Sequence, residues 1–246
     1  GFTHPPGVAY DQTEQYDGTT WTEVADLLVA RYNIGGFGTQ TAAMAAGGAP
    51  GSTQATEQWN GTSWSEVNNL NTAGVKRASF GTTASGINAG NEPASKITEE
   101  WDGTSWSEVN DLNNNHAAAM GAGTSATSGL VAGGEAPGDS ANCETYDGTS
   151  WTEVANLNTA RYSMVGSGTE TAALMAGGYA TPGQQAVTEQ WNGTSWTEVA
   201  DLATARQWGG GTFSSSLASL FAGGYPPSNA TEEWTVPNAI KTFTAT

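Results

Sequence analysis

Glutamate is the residue most regularly placed to do chemistry. Glu14, Glu57, Glu99, Glu144, Glu189 and Glu232 each precede an aromatic residue by two positions. A second series, Glu23, Glu66, Glu108, Glu153 and Glu198, follows a tryptophan by two. Such carboxylates suit calcium binding or paired-acid hydrolysis. Calcium wants several oxygens from one loop, and one glutamate per strand does not supply them. Glycoside hydrolysis needs two non-equivalent carboxylates in one pocket. Only Glu92, Glu100, Glu135, Glu170 and Glu233 fall outside the two series. The bland reading of the regular acids is backbone hydrogen bonding or pairing with Arg31, Arg161 and Arg206. The histidines are His4 and His116, and His116 stands where other copies carry arginine. No Gly-x-Ser-x-Gly elbow and no metal-spaced histidine pair occurs. Cys143 replaces a strand threonine and reads as a packed thiol. The expectation is a chain that is not an enzyme, with no catalytic residue, metal or cofactor.

Composition narrows the class further. Lys+Arg is 7 and Asp+Glu is 24, so the formal charge is 7 − 24 = −17 over 246 residues. That balance offers no footprint for nucleic acid or anionic lipid. One cysteine excludes an intrachain disulfide framework. No run of about 18 apolar residues is present, so membrane insertion is not expected. Ten tryptophans argue against disorder.

The glutamates belong to a repeat. Glu-x-Trp/Tyr, Asp/Asn-Gly-Thr-Ser/Thr-Trp, Thr/Ser-Glu-Val recurs at 14–24, 57–67, 99–109, 144–154 and 189–199. A half copy follows at 231–234. Ala-Gly-Gly recurs at 46–48, 132–134, 176–178 and 222–224, and 89–91 is degenerate. Leu-(Asn/Ala)-Thr-Ala-Arg at 157–161 and 202–206 has looser forms at 28–31 and 70–74, the last with Gly74 in the arginine place.

Each unit holds four short strand candidates, about 161–168, 171–177, 186–192 and 195–200 in the fourth unit. Glycine punctuates the chain too often for amphipathic helices. The Asx-Gly pairs Asp17-Gly18, Asn60-Gly61, Asp102-Gly103, Asp147-Gly148 and Asn192-Gly193 suit type I′ turns between strands three and four. The recurring tryptophans Trp21, Trp59, Trp64, Trp101, Trp106, Trp151, Trp191, Trp196 and Trp234 read as packing positions. The rival is one sugar-stacking tryptophan per blade.

Four strands in 42–45 residues is the arithmetic of a propeller blade. The Gly177-Gly178 pair, Trp191, Trp196 and Arg206 resemble the kelch-type β-propellers. Here the two aromatics are only five residues apart, a tighter turn than kelch repeats usually have. The wording Thr-Glu-Gln-Trp-Asn-Gly-Thr-Ser-Trp-Thr-Glu-Val also resembles kelch-like repeats in structural and tail proteins of marine bacteriophages. The expected fold is therefore all-β, a propeller of four-stranded kelch-like blades.

Residues 1–7 align with residues 178–183, so the chain opens in mid-blade. Two closures follow. Residues 206–224 can pair with 8–25, which gives five blades by strand exchange. Alternatively residues 231–246 complete their own blade, with 240–244 as a fourth strand. The second is preferred, because Glu232 and Trp234 keep the strand-three pattern. It makes residues 1–28 a half blade, followed by blades at about 29–70, 71–112, 113–157, 158–202 and 203–246. Six blades are then expected, with the missing half upstream in a longer chain.

Loops one-to-two and three-to-four are nearly uniform. Loops two-to-three differ in every unit. Variable loops on a rigid scaffold are where binding usually sits. Lys96, Glu135, Asp139, Tyr179 and Tyr225 are the expected contacts, since tyrosine joins area to a polar tip. The expected function is a structural, adhesion or protein-interaction propeller on a virion (phage tail or capsid appendage) or a cell surface. Its partner is a protein or a surface glycan, with a homo-oligomer or virion assembly possible. The alternatives are a propeller lectin and a glycan-cleaving enzyme. An acidic, lysine-poor, Thr/Ser/Asn/Gly-rich surface fits an extracellular or virion-associated setting.

Overall fold

The computed structural model describes residues 8–211, 215–235 and 239–244. The expectations on residues 1–7, His4 and Thr212 lie outside them. Every regular element described is a strand. An N-terminal pair, β1 (Thr13–Tyr16) and β2 (Trp21–Val24), forms a two-stranded sheet. Five four-stranded antiparallel sheets follow. The first holds β3 (Gly35–Thr39), β4 (Ala42–Ala46), β5 (Thr56–Trp59) and β6 (Trp64–Glu66). The second holds β7 (Ala78–Thr82), β8 (Ser85–Ala89), β9 (Thr98–Trp101) and β10 (Trp106–Glu108). The third holds β11 (Met120–Ser125), β12 (Ser128–Glu135), β13 (Asp139–Tyr146) and β14 (Trp151–Val154). In the fourth, β15 (Val165–Thr169), β16 (Ala172–Ala176), β19 (Thr188–Trp191) and β20 (Trp196–Glu198) surround a small loop hairpin, β17 (Tyr179–Ala180) with β18 (Gly183–Gln184). The fifth holds β21 (Gly210–Gly211), β22 (Ala218–Ala222), β23 (Ala230–Thr235) and β24 (Ala239–Thr244).

This is a β-propeller. The inner strands β3, β7, β11, β15 and β21 are successive neighbours around the axis. Among the described residues five four-stranded blades are complete, beside the N-terminal two-stranded sheet. Strand exchange between the ends is excluded, because β22 pairs with β23 and β23 with β24. The two-stranded sheet stands between the fifth and first blades. Trp21 Nε1 donates to Thr231 Oγ1 at 3.1 Å on one side, and Trp64 Nε1 to Thr13 Oγ1 at 3.0 Å on the other.

Two sequence expectations need correction. The Asx-Gly turn is not type I′, because only its glycine has positive φ. It is a four-residue loop closed by the side chain. Asp147 Oδ1 accepts from the Thr149 and Ser150 amides at 2.8 Å, and Asp17, Asn60, Asp102 and Asn192 repeat the pattern. Those amides hold Asp17, Asp102 and Asp147 below the usual carboxylate range. Strand one also starts later than expected. Arg161 precedes it, because Ser163 turns left-handed (φ 56) before β15 begins. Asn33, Lys76, Ala118 and Trp208 do the same in the other blades.

The paired aromatics meet across each outer hairpin, at 5.5 Å for Trp101 and Trp106 and 5.3 Å for Trp191 and Trp196. The strand-four tryptophan also reaches the preceding blade. Trp106 stands edge-on to Phe37, and Trp151 to Phe80. Glycine is required where strands turn tightly. A Cβ on Gly168 (φ +106) would lie 2.2 Å from the Ala172 carbonyl oxygen, whereas one on Gly183 would meet nothing within 4 Å. Gly168→Ala is expected to cost about 2–3 kcal/mol, and Gly183→Ala to stay within about 0.5 kcal/mol. Urea midpoints followed by circular dichroism check both.

Candidate functional site

From Glu57 onward the first series of glutamates is consumed by the framework. Glu57 pairs with Arg31 at 2.7 Å, Glu99 with Arg77 at 2.9 Å, Glu189 with Arg161, and Glu232 with Arg206 at 2.5 Å, all buried. The second oxygen accepts backbone amides from the incoming loop, such as Leu28 to Glu57 and Asn158 to Glu189, both at 2.7 Å. Each acid therefore ties an arginine before strand one to strand three and to the neighbouring blade. Arg77 corrects the alignment that put Gly74 in the arginine place. A Cβ on Gly74 would lie 2.1 Å from Arg77 Nε, so the arginine reaches back into the space a side chain at 74 would need. In the third blade His116 Nε2 stands 3.4 Å from Glu144, and Nδ1 lies 2.7 Å from the Gly133 carbonyl. Burial pushes the Glu144 carboxyl up. The His116 bond and the Asn113 and Asn114 amides outweigh it and hold the group low. Cys143 is buried, and burial pushes its thiol up to about 12, far from a nucleophile's range. Among the described residues no three acidic, histidine or cysteine side chains gather as metal ligands.

The variable loops surround the mouth of the central channel. The left-handed residues form a belt there. Lys76 N donates to Asn33 O at 3.0 Å, Ala118 to Lys76 at 2.8 Å, Ser163 to Ala118 at 2.8 Å, and Trp208 to Ser163 at 3.0 Å. Inside the belt lies a cavity of about 310 Å³, lined by Lys76, Arg77, Ser163, Met164 and Trp208 among others. The residue after each Gly-Gly pair is hydrogen-bonded to the residue before each belt position. Tyr179 bonds Tyr162, Tyr225 bonds Gln207, and the Glu135 amide donates to Ala117 O at 2.7 Å. Glu135, Tyr179 and Tyr225 thus occupy one repeat position on the rim.

The rim carries aromatic pairs. Tyr162 and Tyr179 have centroids 5.3 Å apart, and Trp208 and Tyr225 are 5.8 Å apart. Burial raises the Tyr162 hydroxyl pKa first, and then Glu135, Tyr179, Asp139 and Glu92 raise it by charge. Asp139 accepts the Thr181 amide at 2.6 Å and so joins the third and fourth loops. Lys96 is exposed, and its carbonyl accepts the Leu112 amide at 2.9 Å. The structure therefore gathers Glu135, Asp139 and Tyr179, sets Tyr225 further round the rim beside Trp208, and among the described residues shows no bond from the Lys96 side chain. Sequence reasoning missed Tyr162, Trp208 and Lys76, which pairs with Glu92 at 2.5 Å. Trp208 had a signal, since it is the only tryptophan outside the repeat phrase.

Fold and site define a β-propeller with an aromatic-rimmed channel mouth. A solved structure titled "Structure of YjhT" is similar, with a TM-score of 0.73 over 96% of this chain and 97% of that one. At 14% identity the likeness concerns the fold alone. No protein-family profile matches the chain, and no curated protein matches it.

Proposed function

We propose that this chain is a non-catalytic kelch-like propeller of structural or adhesion type, extracellular or virion-associated like the phage proteins its repeats resemble. It meets a protein partner through the channel mouth. One observation carries the reading. The recurring acids of the first series from Glu57 onward sit inside buried framework pairs, while aromatic and charged side chains that vary between blades ring the mouth. Exposed aromatic anchors are the usual energetic centres of protein interfaces. Tyr179→Ala and Tyr225→Ala are expected to weaken partner binding at least tenfold each while leaving circular dichroism unchanged. Amine cross-linking on the assembled particle or cell surface tests the face. Products through Lys76 or Lys96 support it. Products confined to Lys241, on the outer strand β24, overturn it.

The lectin reading has its own support in the Trp208–Tyr225 and Tyr162–Tyr179 pairs, whose rings suit sugar stacking. The repeated Trp101, Trp106, Trp151, Trp191 and Trp196 are buried and do not serve. Saturable binding on a glycan array, lost in Trp208→Ala, would favour the lectin. Glycan turnover abolished by a single Glu→Gln change would overturn the non-catalytic reading.

A further inference from the structure

The rim between the third and fourth blades holds side chains that the framework does not use. Each blade has two facing rim positions, one before its left-handed residue and one at the start of the loop after strand two. Only the fourth blade has an aromatic residue at both, Tyr162 and Tyr179. Ala49, Val75, Ala117 and Gln207 break the pairing in the other four. The two rings have centroids 5.3 Å apart and are tilted by 43°. Both residues are half-buried, so part of each ring meets solvent.

Two carboxylates of the third blade are tied to this pair. Glu135 and Asp139 are register partners at the facing ends of β12 and β13. Asp139 accepts the amide of Thr181, two residues past Tyr179, at 2.6 Å. The Glu135 amide donates to Ala117 O at 2.7 Å, and the next carbonyl, Ala118, accepts the amide of Ser163 beside Tyr162 at 2.8 Å. Neither acid forms an ion pair among the described residues. The chain has 7 lysines and arginines. Arg31, Arg77, Arg161 and Arg206 are engaged by buried glutamates, and Lys76 by Glu92. The rim thus sets open aromatic surface beside negative charge that has no cation of its own.

We infer that Tyr162 and Tyr179, with Glu135 and Asp139, form a recognition site for an arginine side chain presented by a basic protein partner. This rests on the reading of the channel mouth as a protein-binding face. A guanidinium is planar and weakly hydrated, so it stacks on an aromatic face while its fork donates to carboxylates. Here it lies against a tyrosine ring and donates to Glu135. Asp139, already holding Thr181, adds charge. Lysine fits less well, being a compact and strongly hydrated charge with no plane to stack. A metal ion fits worse, since among the described residues no three ligating side chains gather. A basic partner also complements a chain of formal charge −17 and is steered to it.

The test uses the 246-residue protein with its 7 tyrosines replaced by meta-fluorotyrosine and read by fluorine NMR. Tyr162→Phe and Tyr179→Phe assign the two signals. The probe is a Gly/Ser pentapeptide with a central arginine. Matched peptides carry lysine or citrulline, the neutral isostere, in its place. Saturable shifts confined to the Tyr162 and Tyr179 signals are expected with the arginine peptide. The lysine peptide should bind more weakly, and the citrulline peptide should be inert. Glu135→Gln and Asp139→Asn should each weaken binding about fivefold or more. Glu198→Gln removes the same charge from the exposed end of β20 and should change nothing. The remaining tyrosine signals report that each variant is folded. No shift at Tyr162 and Tyr179 overturns the inference. So does an equal response to citrulline, an equal loss in Glu198→Gln, or displacement of the peptide by calcium. Such a failure beside cross-links through Lys76 or Lys96 would strike out the arginine site and leave the face as an interface. An arginine response without those cross-links would support the site and count against the face.

Discussion

Glu189→Ala is expected to destabilise the propeller by about 3–5 kcal/mol, the cost of leaving one partner of a buried pair without the other. The carboxylate is fully buried and serves Arg161 on one side and the Asn158 and Thr159 amides on the other. Arg161 also donates to the Gly177, Thr159 and Met175 carbonyls. Those acceptors hold the guanidinium in place but do not neutralise it. Glu189→Gln keeps an acceptor for the amides and should lose less. The same substitution at the same repeat position of the N-terminal sheet, Glu14→Ala, should change stability by no more than about 0.5 kcal/mol. Urea unfolding by circular dichroism gives both values. A small effect at Glu189 would show that the clamp contributes little beyond its volume.

Trp101→Ala should cost a similar about 3–5 kcal/mol, here by opening a cavity. The ring is 1% exposed and packs with Trp106, Phe37, Met44 and Leu70 across the joint between the first and second blades. Its Nε1 donates to the Thr83 carbonyl at 2.9 Å, which pins the turn between β7 and β8. Removing the ring strips apolar contacts from two blades and leaves that carbonyl to water. Trp21→Ala should cost clearly less, because Trp21 is only half-buried. Calorimetric melting is the suitable measurement, since the substitution removes part of the fluorescence signal. Equal losses at both positions would contradict the burial argument.

Much of this could be read from the chain. The repeat phrase gave four strands per unit and the paired aromatics, because alternation and glycine punctuation are local signals. The buried pairs could be read only in part. Arg31, Arg161 and Arg206 share a register with their glutamates, but Arg77 is shifted by three residues and works only because Gly74 makes room. The type I′ expectation failed because Asx-Gly is compatible with several turns. Whether the aspartate oxygen caps the next amides depends on loop length. Tyr162 and Lys76 gave no signal, since their neighbours on the rim lie in other blades or other loops.

The sequence by itself determined that this is an all-β propeller and that variation is concentrated in the loops between strands two and three. Those properties follow from period and composition, which act over a few residues. The tertiary structure alone decided which glutamates are buried and which are exposed. It also decided that the left-handed residues join into a belt. Those facts depend on which blade is next to which around the ring, and no local rule in the chain encodes that.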